Sequence, residues 1–444
     1  MKPDVRPLAV FVLAAGKGTR LAVGEDAPPK VLVPCLGAPL IEHVQRAVRP
    51  PEAAETVVVV GHGAEAVEGW LAAHWPEART VAQIPQEGTG QAARLALDAT
   101  PAFRGDVLLV YGDVPQMRTD DLLCLLAHHR KTKAKATLLS GVAEDPGALG
   151  RVVRDSDGRF REIVEARDGV GRPEVLALHE FNTGLYVFDA DALRPALRDL
   201  SRDNRQGEEY ATEAVNRLAA SGCRVEIVAT PEACALLGVN GHEDLARAST
   251  VLRRRIVTDH LRRGVAILDP ETTVIEIDVE IAPGATIHPF THVGRGCRIA
   301  AGAEVGPFAR LRGGAVLEED VQVGNFVEVK GSTLGRGAKA KHLAYLGDAV
   351  VGEKANIGCG TITANYDGRR KHPTIIGPRV RTGSGTVLVA PVTLGEGAIT
   401  GANAVVLAGR DVARGQTVVG VPARPLPPRG PEGNPLKDAK EDAR

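Results

Sequence analysis

Aliphatic residues recur at every sixth position between Thr273 and Ser332. Ile275, Ile281, Ile287, Val293, Ile299, Val305, Leu311, Leu317, Val323 and Val329 make ten consecutive hits. A period of six is neither the 3.6 of an α-helix nor the simple alternation of a strand. It is the period of a hexapeptide β-helix, in which six residues form one short strand and a corner. The inward residue of each repeat then stacks on its counterparts in neighbouring coils. Gly284, Gly296, Gly302 and Gly314 suit the corners. The period slips after Val329, resumes at Val351 and Ile357, slips again, and returns at Val380, Thr386, Val392, Ala398 and Ala404. Both slips read as insertions that leave the coil, and such loops are where function concentrates.

The preceding half alternates two other patterns. Leu8–Ala14, Thr56–Val60, Asp106–Tyr111, Ala136–Leu139 and Gly184–Phe188 are short apolar runs that read as strands. Leu40–Val48, Ala64–Ala73, Gly90–Ala99 and Asp120–His129 carry apolar residues three or four apart and read as helices. This order predicts an α/β domain with a mostly parallel, Rossmann-like sheet and a ligand crevice at the carboxyl ends of the strands. His242–Arg263 follows, with Leu245, Ala248, Leu252, Ile256 and Leu261 in one stripe and five arginines largely off it. It reads as an amphipathic joining helix whose arginines form a solvated face. The expected divisions are 1–241, a helical linker at 242–264, the β-helix at 265–422, and a disordered tail at 423–444 rich in proline, glycine and charge.

Length and charge narrow the class. At 444 residues the chain exceeds one hydrophobic core. Fifty-four basic and 55 acidic residues leave a net charge of -1, which argues against nucleic acid or a membrane surface as partner. The six cysteines form no C-x-x-C pair, so they read as thiols in a reducing compartment. The run Leu8–Ala15 is too short to span a membrane and lacks a signal-peptide pattern. A cytoplasmic protein is expected.

Candidate chemistry begins where the first strand ends, in LAAGKGTR at Leu13–Arg20. Gly16 and Gly18 let backbone amides approach phosphate oxygens, and Lys17, Arg20 and Lys30 supply positive charge. The loop is neither a Walker motif nor a dinucleotide fingerprint, and alone it is also compatible with a structural turn. Asp113 follows a predicted strand, where an acidic residue can hold a cation. Gly88-Thr89-Gly90 opens a predicted helix and offers a further backbone site.

Taken together, Gly16–Arg20, Lys30, Gly88–Gly90, Gly112–Pro115, Asn182–Gly184 and Asn204–Glu209 closely resemble the sugar-1-phosphate nucleotidylyltransferases. With the β-helix attached, residues 5–422 resemble a bacterial bifunctional family. Its members are N-acetylglucosamine-1-phosphate uridylyltransferase and glucosamine-1-phosphate N-acetyltransferase in one chain, with a left-handed parallel β-helix. The resemblance implies that Leu13, Ala14, Gly16, Gln83, Gly88 and Thr89 hold the uridine of UTP, with Tyr111 also contacting substrate. It gives Arg20 and Lys30 to the phosphates, Asp113 and Asn240 to Mg²⁺ with Asn240 also at the substrate, and Gly150, Glu165 and Asn182 to the sugar. Gln91, where the family commonly has histidine, and Ala211 and Glu213, in place of leucine and aspartate, depart from the pattern.

The β-helix half carries a second set. The resemblance makes His342 the general base of acetyl transfer; Glu328, if it approaches the ring's other nitrogen, would orient the imidazole. It gives Arg312, Lys330, Tyr345, Tyr366 and Lys371 to the sugar phosphate, and Asn356 and Asn365 to the sugar. Cys359, Ser384 and Ala402 fall where acetyl-CoA is contacted, Cys359 replacing the usual alanine. The family also implies a homotrimer with sites between subunits. A nucleotidylyltransferase with a regulatory β-helix is the rival enzyme, opposed by the intact set of His342, Asn365-Tyr366 and Lys330. A non-catalytic assembly subunit, as in a translation exchange factor of the same layout, is opposed by Arg20, Lys30 and Asp113 together.

Overall fold

The computed structural model describes residues 6–21, 27–49, 53–230 and 237–426. The chain divides into two compact units, Met1–Val251 and Leu252–Arg444. The first unit runs β1 (Leu8–Leu13), a hairpin of β2 (Pro34–Cys35) and β3 (Ala38–Pro39), α1 (Leu40–Ala47), β4 (Ala53–Val60), α2 (Ala64–His74), β5 (Arg79–Ala82) and α3 (Thr89–Asp98). It continues with β6 (Asp106–Tyr111), α4 (Thr119–Thr132), β7 (Ala136–Val142), β8 (Arg151–Arg154), β9 (Phe160–Val164), α5 (Pro173–Leu176), β10 (Glu180–Asp189), α6 (Ala190–Ala196), α7 (Ala211–Ala220) and β11 (Val225–Ala229). The main sheet has the order β11-β7-β10-β6-β1-β4-β5. Only β10 on that path is antiparallel to its neighbours β6 and β7.

Every residue of β1 is buried, as a strand covered by helices on both faces must be. Its side chains alternate between two cores. Ala9, Phe11 and Leu13 pack with residues of α3, α6 and α7, whereas Leu8, Val10 and Val12 pack with those of α1, α2 and α4. From β1 the chain moves out to β4 and β5 and then crosses back to β6 on β1's other side. The crevice therefore opens where the carboxyl ends of β1 and β6 part, at the register pair Leu13 and Tyr111. All the strands and helices read from the sequence are present. The strands β5, β8, β9 and β11 and the helices α5, α6 and α7 were not anticipated, being short or mixed in polarity.

The helix α8 (His242–Arg262) contains the division between the units. In the second unit its Val257 is buried in the β-helix core, with Ile256 packed beside it, so this helix closes the base of the stack. The β-helix has three sheets of parallel strands, and successive coils pair residues eighteen apart, as in Ile275 with Val293 and Val293 with Leu311. All ten periodic residues from Ile275 to Val329 are buried. So is the row two positions earlier, from Thr273 through Ala285 and Ala303 to Val327. Each coil thus presents one large and one smaller inward residue per side.

Two expectations about the slips need correction. The first slip is not an insertion. Val329 is followed inward by Leu334, Ala340, Leu346, Val351, Ile357 and Thr363, all buried. Two of those steps are five residues instead of six, so a shortened corner shifts the sequence phase without breaking the stack. Buried Ser332 fills the first of these corners, its hydroxyl accepting from Ala349 N at 2.9 Å. The second slip is a true insertion, residues 365–373, between the strands Ile362–Ala364 and Thr374–Ile376. Beyond it, Val380, Thr386, Val392, Ala398 and Ala404 are buried but belong to the smaller row. The strand-centre row continues as Ile376, Thr382, Leu388, Leu394, Thr400, Val406, Val412 and Val418. The expected tail also begins too early: Arg424–Pro425 pairs antiparallel with Val418–Val419 because backbone bonds remain open on the last coil. Residues 427–444 lie outside the described residues.

Candidate functional sites

A cleft of about 590 Å³ opens at the carboxyl ends of β1 and β6, a volume suited to a nucleotide-sized ligand. Leu13, Ala14, Gly16, Lys30, Gln83, Gly88, Thr89, Tyr111, Asp113, Gly150, Glu165, Asn182 and Asn240 all line it. Arg20 does not; it is exposed on the loop beside residues 22–26, which are not described. Lys17, Gln86, Glu208 and Thr212 also line the cleft. Gly18 has φ of +62°, and a Cβ there would stand 2.5 Å from Lys30 Cβ, so only glycine lets the loop fold over that lysine. Gly88 has φ of +117° and meets Glu209 O so closely that a Cβ would lie 2.3 Å away.

The Lys30 ammonium forms an ion pair with Asp113 and donates to Asn240 Oδ1 at 3.2 Å. Asn240 is brought there by the segment behind it, for Val239 N donates to Asp113 O at 2.8 Å. Two oxygens therefore converge on one positive centre. Deeper in the cleft, burial pushes the Glu165 carboxyl up, and Thr212 Oγ1 opposes this by donating to it at 2.9 Å. Burial, and then the Glu165 charge, pushes the Tyr111 phenol well above its ordinary value. Asn182 Nδ2 donates to Tyr186 Oη at 2.5 Å, while its Oδ1 accepts from Gly184 N at 3.1 Å.

In the β-helix the predicted residues fall in two columns on one face. His342 ends the strand Lys339–His342, at the corner that leads to the strand Tyr345–Gly347. The corners holding Cys359, Ser384 and Ala402 continue the same edge, joined by Gly360 N to Leu343 O at 3.0 Å, Gly385 N to Cys359 O at 2.7 Å and Asn403 N to Ser384 O at 2.7 Å. At the other end of these strands stand Arg312 and Lys330, paired in register, with Asp348 and the 365–373 insertion beside them. Asn365 is buried and donates to Asp348 Oδ2 at 2.5 Å, which fixes the start of that insertion. Tyr366 and Lys371 bridge across it. The adjacent Lys330 ammonium pulls the Lys371 pKa down, so two cations face each other here. Tyr345 begins the strand between the columns, and Asn356 is exposed on the preceding face.

Glu328 makes no hydrogen bond to His342 within this chain. It is ion-paired to Arg312 and stands in register with Tyr345, while His342 is in register with Asn325 on another sheet. The ladder spacing separates the two by a corner.

The comparisons with known proteins agree along the whole chain. Residues 10–211 match a family profile described as a MobA-like NTP transferase domain, and residues 272–307 match the bacterial transferase hexapeptide of six repeats. A protein of Thermobifida fusca (strain YX) named bifunctional protein GlmU is 40% identical, over 99% of this chain and 98% of that protein. One of the same name from Leifsonia xyli subsp. xyli (strain CTCB07) is 42% identical over 96% of this chain and 92% of its own length. Another, from Pelobacter propionicus (strain DSM 2379 / NBRC 103807 / OttBd1), is 40% identical over 93% and 95%. The chain belongs to the GlmU family.

Against that family the departures noted in the sequence have visible local settings. Gln91 is buried and bonded on both sides of its amide, to Gln83 and to Glu87. Ala211 N donates to Thr89 Oγ1 at 3.0 Å, a bond its side chain does not affect. Glu213 accepts from Ser201 N at 3.0 Å and pairs with Arg217 one turn on. Cys359 is free and half-buried, and the bond it supplies to the next coil comes from its backbone. Sequence reasoning missed Thr212 and Asp348, which hold Glu165 and Asn365. A lone threonine on a helix or aspartate at a corner carries no signal until its partner is in place.

Proposed function

We propose that this GlmU-family chain joins two transferase sites in the synthesis of UDP-N-acetylglucosamine. One acetylates glucosamine 1-phosphate from acetyl-CoA, and the other uridylylates the N-acetylated product from UTP with release of pyrophosphate. The observation that carries the second activity is the convergence of Asp113, Asn240 and Lys30 at the mouth of a glycine-walled cleft. Among the described residues no group of three or more His, Cys, Asp or Glu side chains gathers to hold a metal. Two oxygens meeting at one cationic point suit Mg²⁺, which accepts few protein ligands and takes phosphate and water for the rest. Asp113 and Asn240 would hold it, and when bound it neutralises charge on the phosphates. Lys30 is then freed toward the transferring phosphoryl group, which needs alignment and charge compensation more than a protein base. Gly16 and Lys17 line the same space, while Gly150, Glu165 and Asn182 offer polar groups to the sugar.

For acetyl transfer, Arg312, Lys330 and Lys371 form the anion site that fits a sugar phosphate, with Tyr345 and Tyr366 beside it. A dianion placed between Lys330 and Lys371 would relieve their mutual repulsion. His342 is exposed, and a histidine ring is the side chain suited to take the proton that the substrate amine must lose. Cys359, Ser384 and Ala402 continue its edge as the acetyl-CoA track. The two columns are separated by a strand of three residues, roughly 10 Å at ~3.3 Å per residue. That separation supports a homotrimer in which one copy brings its base edge to another's phosphate edge. No helix among the described residues is long and apolar enough to cross a membrane, and a cytoplasmic location fits these soluble substrates. The test is one incubation of purified protein with glucosamine 1-phosphate, acetyl-CoA, UTP and Mg²⁺, each product being resolved. N-acetylglucosamine 1-phosphate should appear first and UDP-N-acetylglucosamine after it. Failure to form the first product without a supplied acetylated sugar would leave only the uridylyl activity standing.

A further inference from the structure

Gln83 and Gln91 are both buried, and between them they leave one polar atom for the cleft. Gln83 Nε2 donates to Gly88 O at 2.8 Å and to Gln91 Oε1 at 2.7 Å. A backbone carbonyl can only accept, so the amino side of Gln83 must face it. Gln91 is fixed in the same way. Its Oε1 accepts from Glu87 N at 2.9 Å, and its Nε2 donates to Glu87 Oε2 at 2.9 Å. The outermost member, Glu87, is paired with Arg202, whose Nη1 donates to Oε1 at 2.8 Å. Neither glutamine can flip without setting two donors or two acceptors face to face.

With both N–H groups of Gln83 used, its Oε1 has no protein partner among the described residues, and Gln83 lines the cleft. The group presented to a ligand is thus a fixed acceptor. We propose that Gln91 is a positioning residue for base selectivity: by locking the Gln83 amide it makes the cleft select a nucleobase with an imide N–H, such as uracil, over cytosine. Uracil carries a hydrogen on N3, where cytosine carries a lone pair. Cytosine could offer its exocyclic amine only by sliding along the base plane, and a phosphate chain held at Gly16 and Lys17 on the same cleft wall would resist that shift. This inference rests on the uridylyl reading of the cleft and adds the origin of its selectivity.

The experiment measures KM and kcat for UTP and CTP with N-acetylglucosamine 1-phosphate, in the parent and two variants. Gln91→Leu removes one of the two acceptors that hold the Gln83 amino group, leaving Gly88 O alone to set the amide and loosening its orientation. KM for UTP should rise roughly five- to tenfold, the loss of about one net hydrogen bond, with kcat little changed and the preference over CTP narrowed by a similar factor. Gln91→His, whose neutral ring offers one acceptor and one donor, should keep both KM and preference near the parent's. An active parent with an unchanged UTP-to-CTP preference in Gln91→Leu overturns the relay. Loss of preference in a folded Gln91→His does the same, and decides the matter even if Gln91→Leu proves unstable. A parent without uridylyl transfer overturns instead the reading on which the relay rests.

Discussion

Asp113→Ala should separate the two activities and cost little stability. The Asp113 and Lys30 side chains are 14% and 10% exposed, so their pair is largely shielded from water. Removing one member of a fully buried pair costs about 3–5 kcal/mol, because the other charge is stranded. Here Lys30 retains Asn240 Oδ1 at 3.2 Å, and the open cleft lets water reach its ammonium. The loss should therefore fall to about 1–2 kcal/mol, near the worth of one charge-assisted hydrogen bond. For a unit of this size that lowers Tm by about 2–8 °C, readable by thermal denaturation. Catalysis should suffer far more. Loss of a preorganised group that compensates charge in a transition state commonly lowers kcat by ~10²–10³-fold. Uridylyl transfer is assayed from UTP and N-acetylglucosamine 1-phosphate over a Mg²⁺ series, with acetyl transfer as internal control. Uridylyl activity at the parent's level and Mg²⁺ dependence would refute the metal assignment. Loss of both activities in a folded variant would refute the independence of the two sites.

His342→Ala should lower acetyl transfer by ~10²–10⁴-fold while leaving uridylyl transfer intact; activity within a few-fold of the parent across neutral pH would make it a bystander. Affinity for glucosamine 1-phosphate should weaken as pH rises through the lowered Lys371 pKa, because the phosphate needs the cation. Lys330→Gln removes the neighbour that lowers it, so the fall should move to higher pH, and an unmoved profile of KM against pH speaks against the lysine pair. Leu311→Ala, at a fully buried centre between Val293 and Val329, should cost about 2–5 kcal/mol in chemical denaturation; a loss below 1 kcal/mol would be inconsistent with a close-packed row. A fragment of residues 252–426, which keeps Val257 at the base and the closing strand Arg424–Pro425, should fold and trimerise, and a folded monomer in sedimentation would count against the trimer.

The β-helix was legible because its period is enforced by burial. Each inward position from Ile275 to Val329 must be apolar, and the sequence repeats that demand every six residues. What the period could not reveal was a corner one residue shorter. The step from Val329 to Leu334 keeps the stack intact in space yet shifts the sequence phase, which in one dimension looks the same as an insertion. The later row from Val380 misled for a related reason. Both rows are inward, and where Thr382 and Thr400 occupy the strand centres the smaller row is the more apolar of the two. Buried threonines there are satisfied by bonding one another and neighbouring backbone, as Thr386 Oγ1 does with Thr400 Oγ1 at 2.7 Å.

The residue types of both sites were legible, and their pairings were not. Glycines, lysines and an aspartate in a cleft announce phosphate chemistry, because few other reasons gather them after strand ends. Which charge answers which is decided by register. Glu328 lies near Lys330 and His342 in sequence, but a parallel coil sets it against Arg312 and Tyr345. The same rule shows how the two sites differ. Lys30 is answered by Asp113 and Asn240, so an incoming phosphate there must displace existing partners, which a metal taking over those two oxygens accomplishes. Arg312 is likewise answered by Glu328. Lys371, by contrast, sits against another lysine and is depressed by it. Asp348 beside them offsets part of that repulsion, and an anion arriving there relieves the rest, so the two lysines should contribute more to holding the sugar phosphate than Arg312 does.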